Sequence, residues 1–274
     1  MMTPSSDLAL RRIAGIPGPR LAEADRPDNF IDAFALQQQI SQQVCQQALT
    51  EVIGWKCLLP VVDNALGDTK YVLAPIFAAE TIIESKSSAA ISAQCRLFPS
   101  AKNMARVEPE LAFEFGTALP PQEQEYTNAQ IDNAIGGVRL ALELIQSRYS
   151  KPAEVSYFEA LADGLVNQGL YLGPHINYPQ EGGLSLVEAF ELEVTQGTGT
   201  IAQSRCYSAK HPNNNPKAGL YWLVNFLSQQ GIGISAGQQV ITGSYAGVLD
   251  LPLDQEIHFR YGELGQFKLQ FKAK

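Results

Sequence analysis

Arg106-Val107-Glu108-Pro109-Glu110-Leu111-Ala112-Phe113-Glu114-Phe115 is the stretch on which the reading of this chain turns. Side chains on a strand alternate between two faces. Val107, Leu111, Phe113 and Phe115 therefore share one face, and Glu108, Glu110 and Glu114 share the other. The segment reads as a strand with an apolar side and an acidic side. Glu108 and Glu110 point the same way and repel each other unless positive charge sits between them. Hard divalent cations take carboxylate oxygens, so the pair is a candidate cation site. The competing reading is a solvated strand face that Glu114 continues.

Working outward, Pro120-Pro121-Gln122 forms a loop before a second long element. Ile131, Ile135, Val138, Leu142 and Ile145 recur at helical spacing, which predicts a helix from about Thr127 to Tyr149. Glu143 lies beside that stripe. A short helix is expected over 153–166, and residues 184–203 read as strands around Gly197-Thr198-Gly199. A further helix from Lys217 to Gln230 carries Leu220, Leu223, Val224 and Leu227, with Gly231 as its stop. Gln239–Thr242, Glu256–Tyr261 and Phe267–Phe271 read as strands, the last two flanking the turn Gly262-Glu263-Leu264-Gly265.

Upstream, residues 1–28 read as irregular, with Ile16-Pro17-Gly18-Pro19 as a turn-rich arm. Asp28 or Asn29 caps a helix running to about residue 50, with Phe30, Phe34, Ile40, Val44 and Leu49 along its stripe. Gly54 ends that element. Residues 55–105 alternate β-like runs, Tyr71–Ile76 and Ala90–Phe98, with turns. Helices and strands do not alternate regularly, so the fold class is α+β.

Composition narrows the function. The chain has 274 residues, 45% hydrophobic and 18% charged, enough for a sizeable core. Its net charge is -8, and no Lys/Arg cluster occurs, which argues against a nucleic-acid partner. Cys45, Cys57, Cys95 and Cys206 show no C-x-x-C spacing and read as reduced thiols. The N-terminus has no apolar signal region, and no apolar run nears the ~20 residues of a membrane span. The expectation is a cytoplasmic protein without a membrane partner. His175, His211 and His258 are widely separated, so a His-rich metal site or a Ser-His-Asp triad has little material.

Several stretches together resemble the fumarylacetoacetate hydrolase superfamily, in its 2-oxopent-4-enoate hydratase and 4-oxalocrotonate decarboxylase branch. They are Gly54-Trp55-Lys56-Cys57-Leu58, the 106–113 strand, Ala141-Leu142-Glu143-Leu144-Ile145-Gln146-Ser147-Arg148, and Leu161-Ala162-Asp163. Then come His211-Pro212, Tyr221-Trp222-Leu223 with Asn225-Phe226-Leu227, and Val240-Ile241-Thr242-Gly243-Ser244. They follow the family order over about residues 30–272. The resemblance implies a mixed, curled, barrel-like β-sheet with outer helices, as in the C-terminal domain of fumarylacetoacetase. It also implies a helical arm over 1–53 and a metal-binding catalytic domain over 54–274, assembled as a homo-oligomer.

The same resemblance implies Mg²⁺ or Mn²⁺ held by Glu108, Glu110 and Glu143, two from a strand and one from a helix. It places Lys56 in the pocket for acid/base work. Thr242 and Gly243 match the strand-end pair that contacts substrate, and Arg148 matches a residue able to clamp a carboxylate or pin a helix end. Relatives carry an acid after an apolar strand. Here that acid is absent or shifted to Glu80, at the end of Pro75-Ile76-Phe77-Ala78-Ala79-Glu80. Relatives' Ala-Asp-Asn segment becomes Ala162-Asp163-Gly164-Leu165-Val166-Asn167. The implied activity is a metal-dependent lyase of aromatic catabolism that hydrates a 2-hydroxypenta-2,4-dienoate-type substrate to a 4-hydroxy-2-oxo acid. Decarboxylation of an oxalocrotonate-type acid, or metabolite binding without catalysis, are the alternatives. No His precedes His175, which argues against the hydrolases of the superfamily.

Overall fold

The computed structural model describes residues 2–62, 69–83, 93–176, 187–199 and 202–274. Parts of two expected strand regions, 90–92, 184–186 and 200–201, lie outside them. The N-terminus is not irregular. Helix α1 (Pro4–Ala14) is capped by the Thr3 side chain, which accepts from the Ser6 N–H, and it ends at left-handed Gly15. Helix α2 (Phe30–Gln47) starts where expected, with the Asn29 side chain accepting from the Asp32 N–H. Gly54 does not end that helix. It sits inside strand β1 (Val52–Val62), where a Cβ would lie 2.2 Å from the Gln239 carbonyl oxygen. Only glycine allows the two backbones to come that close.

The chain continues through β2 (Thr69–Phe77), β3 (Thr81–Ile83), β4 (Ala93–Leu97) and β5 (Met104–Phe115). After α3 (Asn128–Ala134) come β6 (Ile135–Ile145), α4 (Tyr157–Ala162), β7 (Asn167–His175), β8 (Ala189–Gln196) and β9 (Gln203–Lys210). Helix α5 (Ala218–Gln229) precedes β10 (Gln239–Ile241), β11 (Leu249–Pro252), β12 (Glu256–Tyr261) and β13 (Gly265–Ala273). Left-handed Gly231 follows α5, as expected, and β12 and β13 form the expected hairpin.

Among the described residues there are two mixed sheets. The larger runs β2-β1-β10-β5-β6-β7-β3, with β11 also on β5; the smaller runs β4-β13-β12-β8-β9. The two edge strands of the larger sheet, β2 and β3, are joined by a single 3-10 turn, Ala78–Glu80. A sheet whose edges are that close in sequence must curl until they adjoin. Ile76, Ala112, Ala141, Leu170, Leu172 and Ile241 form one small buried cluster, though they come from strands across the whole order. Such side chains meet only inside the curl. The opposite face, with Val107, Leu111, Phe113 and Tyr171, joins the main core with Phe259, Tyr261, Phe267 and Phe271 of the second sheet. The Tyr261 hydroxyl donates to the Ala141 carbonyl at 2.8 Å and ties the two sheets together. The fold is thus α+β with a curled mixed sheet, as the sequence predicts.

The expected Thr127–Tyr149 helix is corrected by this topology. Only Asn128–Ala134 is helical, under a Thr127/Gln130 capping box, and the rest is β6. β6 lies between β5 and β7 and is buried on both faces from Leu140 to Ile145. A strand covered on both sides loses its two-residue alternation, and its apolar run fits helical spacing equally well. Gly136-Gly137, costly inside a helix, is the signal against one.

Candidate metal centre

Strands β5 and β6 pair antiparallel, with Glu108 directly opposite Glu143 and Glu110 opposite Ala141. Residues directly opposed in a sheet project to the same face. All three carboxylates therefore point into the curl, and Glu143 arrives from a neighbouring strand rather than from a helix. One oxygen from each lies within 4.8 Å of the others. Glu110 and Glu143 are buried, and Glu108 is half-buried.

The surroundings act on these charges. Burial raises the pKa of Glu110 well above the ordinary carboxylate value, and the charges of Glu143 and Glu108 add to this. The Gly243 N–H, donating to Glu110 Oε2 at 2.8 Å, opposes the rise, as does Lys56. Glu108 is raised by burial and then by Glu143, with Lys56 and Arg106 pulling the other way.

Lys56 reaches the cluster from β1, where it pairs with Ile241 of β10 and Ala74 of β2. Its Nζ donates to Glu143 Oε1 at 2.6 Å and to the Leu165 carbonyl at 3.3 Å. Burial works to lower its pKa, but the three carboxylates outweigh it and hold the ammonium above its usual value. One ammonium among three carboxylates leaves the site negative. Glu143 Oε2 is buried without a hydrogen-bond partner among the described residues, an expensive arrangement for a charged oxygen unless a cation completes it. Three carboxylates with one oxygen left open fit a hard divalent ion, so Glu108, Glu110 and Glu143 are the residues that could hold Mg²⁺ or Mn²⁺.

A cavity of about 240 Å³ opens on this cluster, lined by Lys56, Cys57, Leu58, Val72, Pro212, Gly243 and Ser244 as well as the three glutamates. Gly243 has φ +134, and a Cβ there would lie 2.6 Å from Leu58 Cδ2 and 2.8 Å from Pro212 Cγ. Thr242 stands one residue behind, its carbonyl 2.9 Å from His211 Nε2. His211 Nδ1 accepts from the Asn213 N–H, so the ring proton is on Nε2 and is donated to Thr242. A wider cleft of about 580 Å³, lined by Ser100, Arg106, Gln146 and Tyr149 among others, contains none of the three glutamates. Volume alone does not single out the site, since a cleft of about 630 Å³ near Met104 and Gln196 is larger still.

Two expected site residues face elsewhere. Glu80 does not line the cavity; Arg12 grips both its oxygens, at 2.6 Å and 2.9 Å. That fork holds the carboxylate in place and removes it as a mobile base. Arg148 is fully buried against Asp163, with Nε at 2.8 Å and 2.9 Å from its two oxygens, and donates to the Gln146, Asp163 and Asn167 carbonyls. The pinning alternative describes that geometry, with strand and loop in place of a helix end. Sequence reasoning missed Asn167, whose Nδ2 donates to Glu143 Oε1 at 3.0 Å. The only signal was its place in a segment that departs from the family pattern.

No family model matches the chain. Its sequence is 29% identical over 175 residues to 2-oxo-hept-4-ene-1,7-dioate hydratase of Escherichia coli. The match covers 61% of this chain and 61% of that protein, so the chain spans about three fifths of the curated relative's length. Its fold is similar to that of 4-oxalocrotonate decarboxylase from Pseudomonas putida G7 complexed with magnesium and adipate. That similarity has a TM-score of 0.69 at 17% identity and covers 98% of this chain and 97% of that one. The same decarboxylase complexed with calcium and acetate gives a TM-score of 0.65 at 17% identity over the same shares. At this identity the structural likeness establishes the fold. Together with the sequence match it bears out the resemblance to the fumarylacetoacetate hydrolase superfamily and its hydratase and decarboxylase branch.

Proposed function

We propose that this protein is a divalent-metal-dependent lyase acting on a short 2-oxo acid. The most fitting reaction is hydration of a 2-hydroxypenta-2,4-dienoate-type substrate to a 4-hydroxy-2-oxo acid. The observation that carries this reading is the meeting of Glu108, Glu110 and Glu143 within 4.8 Å, on the wall of a cavity that also holds Lys56. Bound Mg²⁺ or Mn²⁺ supplies a Lewis acid for the carboxylate and 2-oxygen of the substrate.

The chain's own residues do the rest. Protonation of the dienol at its terminal carbon, with loss of the 2-hydroxyl proton, gives a conjugated 2-oxo-3-enoate; water then adds its hydroxyl at C4 and a proton at C3. Lys56, kept as an ammonium by the surrounding carboxylates, is placed to donate at the Glu143 end of the cavity. Gly243 leaves room for substrate beside Glu110, and Leu58, Val72 and Pro212 give the cavity an apolar wall that limits water. Thr242 stands behind Gly243, its carbonyl held by His211. Glu80 and Arg148 are reassigned to holding structure. A cytoplasmic homo-oligomer working in aromatic catabolism is part of the same proposal.

The sequence match is to a hydratase and the fold match to a decarboxylase, so loss of carbon dioxide from an oxalocrotonate-type acid is the second reading. One assay separates them. 2-Hydroxydienoates and oxalocrotonate are followed spectrophotometrically with and without Mg²⁺, and product is scored as hydrated acid or released carbon dioxide. Turnover of neither substrate with metal present would remove both readings and leave a binding protein.

A further inference from the structure

The inner face of β7 and helix α1 meet at a buried chain of polar contacts that ends on the candidate metal centre. Asn167 is completely buried. Its Oδ1 accepts from Arg12 Nη2 at 3.0 Å, and its Nδ2 donates to Glu143 Oε1 at 3.0 Å. Arginine can only donate, so the amide oxygen must face Arg12 and the amide nitrogen must face the carboxylate. Arg12 is itself fixed. It is 4% exposed, forks onto Glu80, and stacks over the Phe77 ring with 4.9 Å to the centroid.

The backbone before Asn167 is unusual. Gly164, Leu165 and Val166 take φ of +80, +51 and +63 in succession. A β-branched residue in the left-handed region is a strained outlier, and such strain gathers where geometry is over-determined. The run delivers two groups to one place: the Leu165 carbonyl to Lys56 Nζ and the Asn167 amide to Glu143. Lys56 and Asn167 both occupy Glu143 Oε1, and Oε2 is the oxygen left without a partner.

We infer that Asn167 is a positioning residue which, anchored by Arg12 of α1, turns Glu143 so that Oε2 faces the cation. The inference rests on the metal-site reading above and deepens it: the N-terminal helix, far from the carboxylates in sequence, sets the geometry of the third ligand. Outer partners of metal-ligating carboxylates commonly change affinity about 10–100-fold when removed.

The test is Mn²⁺ titration of the full chain by calorimetry at a temperature well below melting, with the melting temperature in EDTA recorded in parallel. Asn167→Leu keeps the branched skeleton of the side chain, at a larger volume, and removes the amide. It is expected to weaken Mn²⁺ by about 10-fold or more, and Arg12→Lys, which loses the fork, by a smaller factor. In the double variant the two losses should not add, since both act through one contact. A purely structural role would lower melting and leave Mn²⁺ affinity unchanged; Asn167→Leu binding within twofold of wild type overturns the inference. If that variant does not fold, Glu80→Gln at the far end of the chain of contacts is titrated instead, with threefold weaker binding supporting the inference and unchanged binding overturning it. Wild-type protein that binds no Mn²⁺ fails earlier and differently, because it removes the metal site itself.

Discussion

Replacing Glu110 by glutamine should stabilise the metal-free protein and abolish its response to metal. At the 4.8 Å outer limit of the ligand-atom separations, two unit negative charges repel by about 3.5 kcal/mol at an effective dielectric of about 20. Glu110 has two such neighbours, giving about 7 kcal/mol. Against this stand its attraction to Lys56, of about one such pair, and the charge-assisted part of the Gly243 hydrogen bond, about 1.5 kcal/mol. Glutamine keeps an acceptor for the Gly243 N–H. The net relief is about 2 kcal/mol, or a rise in melting temperature of roughly 4–8 °C for a chain of this size. Wild type should instead gain about 2.7 kcal/mol from Mn²⁺ at a hundred times its dissociation constant, and the variant nothing. The sign of the pH dependence follows from the raised pKa of Glu110. A carboxyl raised in the folded state contributes stability below its unfolded pKa of about 4.3 and loses it as pH climbs through the folded value. The two proteins should melt together near pH 4 and diverge towards neutrality, with the variant higher. Thermal denaturation by circular dichroism in EDTA and in MnCl₂ across that range measures this. A variant that melts below wild type at neutral pH without metal, or keeps the full metal shift, would refute the electrostatic account of the cluster.

Lys56→Met should lower turnover by about 10²–10⁴-fold, the usual range for a lost acid/base group. It should leave Mn²⁺ binding equal or tighter, because a competing positive charge is removed from beside the three carboxylates; a steady-state assay beside a titration checks both, and wild-type turnover would sink the role. His211 is pulled down to about 4 by burial, with its Thr242 backbone partner opposing. Its neutral form stabilises the fold above the unfolded value of about 6.5, and that stability drains at up to about 1.4 kcal/mol per pH unit as pH falls from there towards 4. His211→Gln should flatten this acid limb in urea titrations, and an unchanged slope would assign the loss to other groups. Gly243→Ala places a Cβ 2.6 Å from Leu58 at φ +134, so it should cost about 1–3 kcal/mol and close the cavity beside Glu110. Activity retained at wild-type KM would show that substrate does not pass there.

What could be read from the sequence depended on how many faces of each element are covered. The 106–115 strand was legible because its two faces differ, apolar outside the curl and acidic inside. The C-terminal hairpin was legible because Gly262 and Gly265 mark a turn between alternating runs. β6 was not, because it is central and covered on both sides, and its isoleucines and leucines fall on a helical ladder by coincidence. β1 was overlooked for a related reason: its buried stretch from Gly54 to Cys57 is short and interrupted by a lysine whose partner is 87 residues away. Helix α1 has a start at Thr3-Pro4 and a stop at Gly15, but an apolar stripe of little more than Leu8 and Ala9. At the site, Glu108 and Glu110 announce themselves by spacing, Glu143 by resemblance, and Asn167 and Arg12 by neither. No local pattern encodes a contact that spans 155 residues.

Moving Glu143 from a helix to a strand changes what holds the site together. A helix carboxylate would be placed by packing, which tolerates small shifts. A carboxylate on β6 is placed by the backbone ladder to β5, whose register runs without irregularity from Val107/Leu144 to Glu114/Gly137 and breaks only beyond it. A slip of one residue would turn Glu143 out of the curl into the main core and bring Leu142 or Leu144 in. At the far end of the same pair, a Cβ on Gly136 would meet Gly116 Cα at 2.8 Å, so the register there admits no bulkier residue. The three carboxylates thus repel one another on a strand pair whose register is unbroken around them. The sheet is held from outside by the apolar face of β5 and β6, and it keeps the charges together until a cation neutralises them.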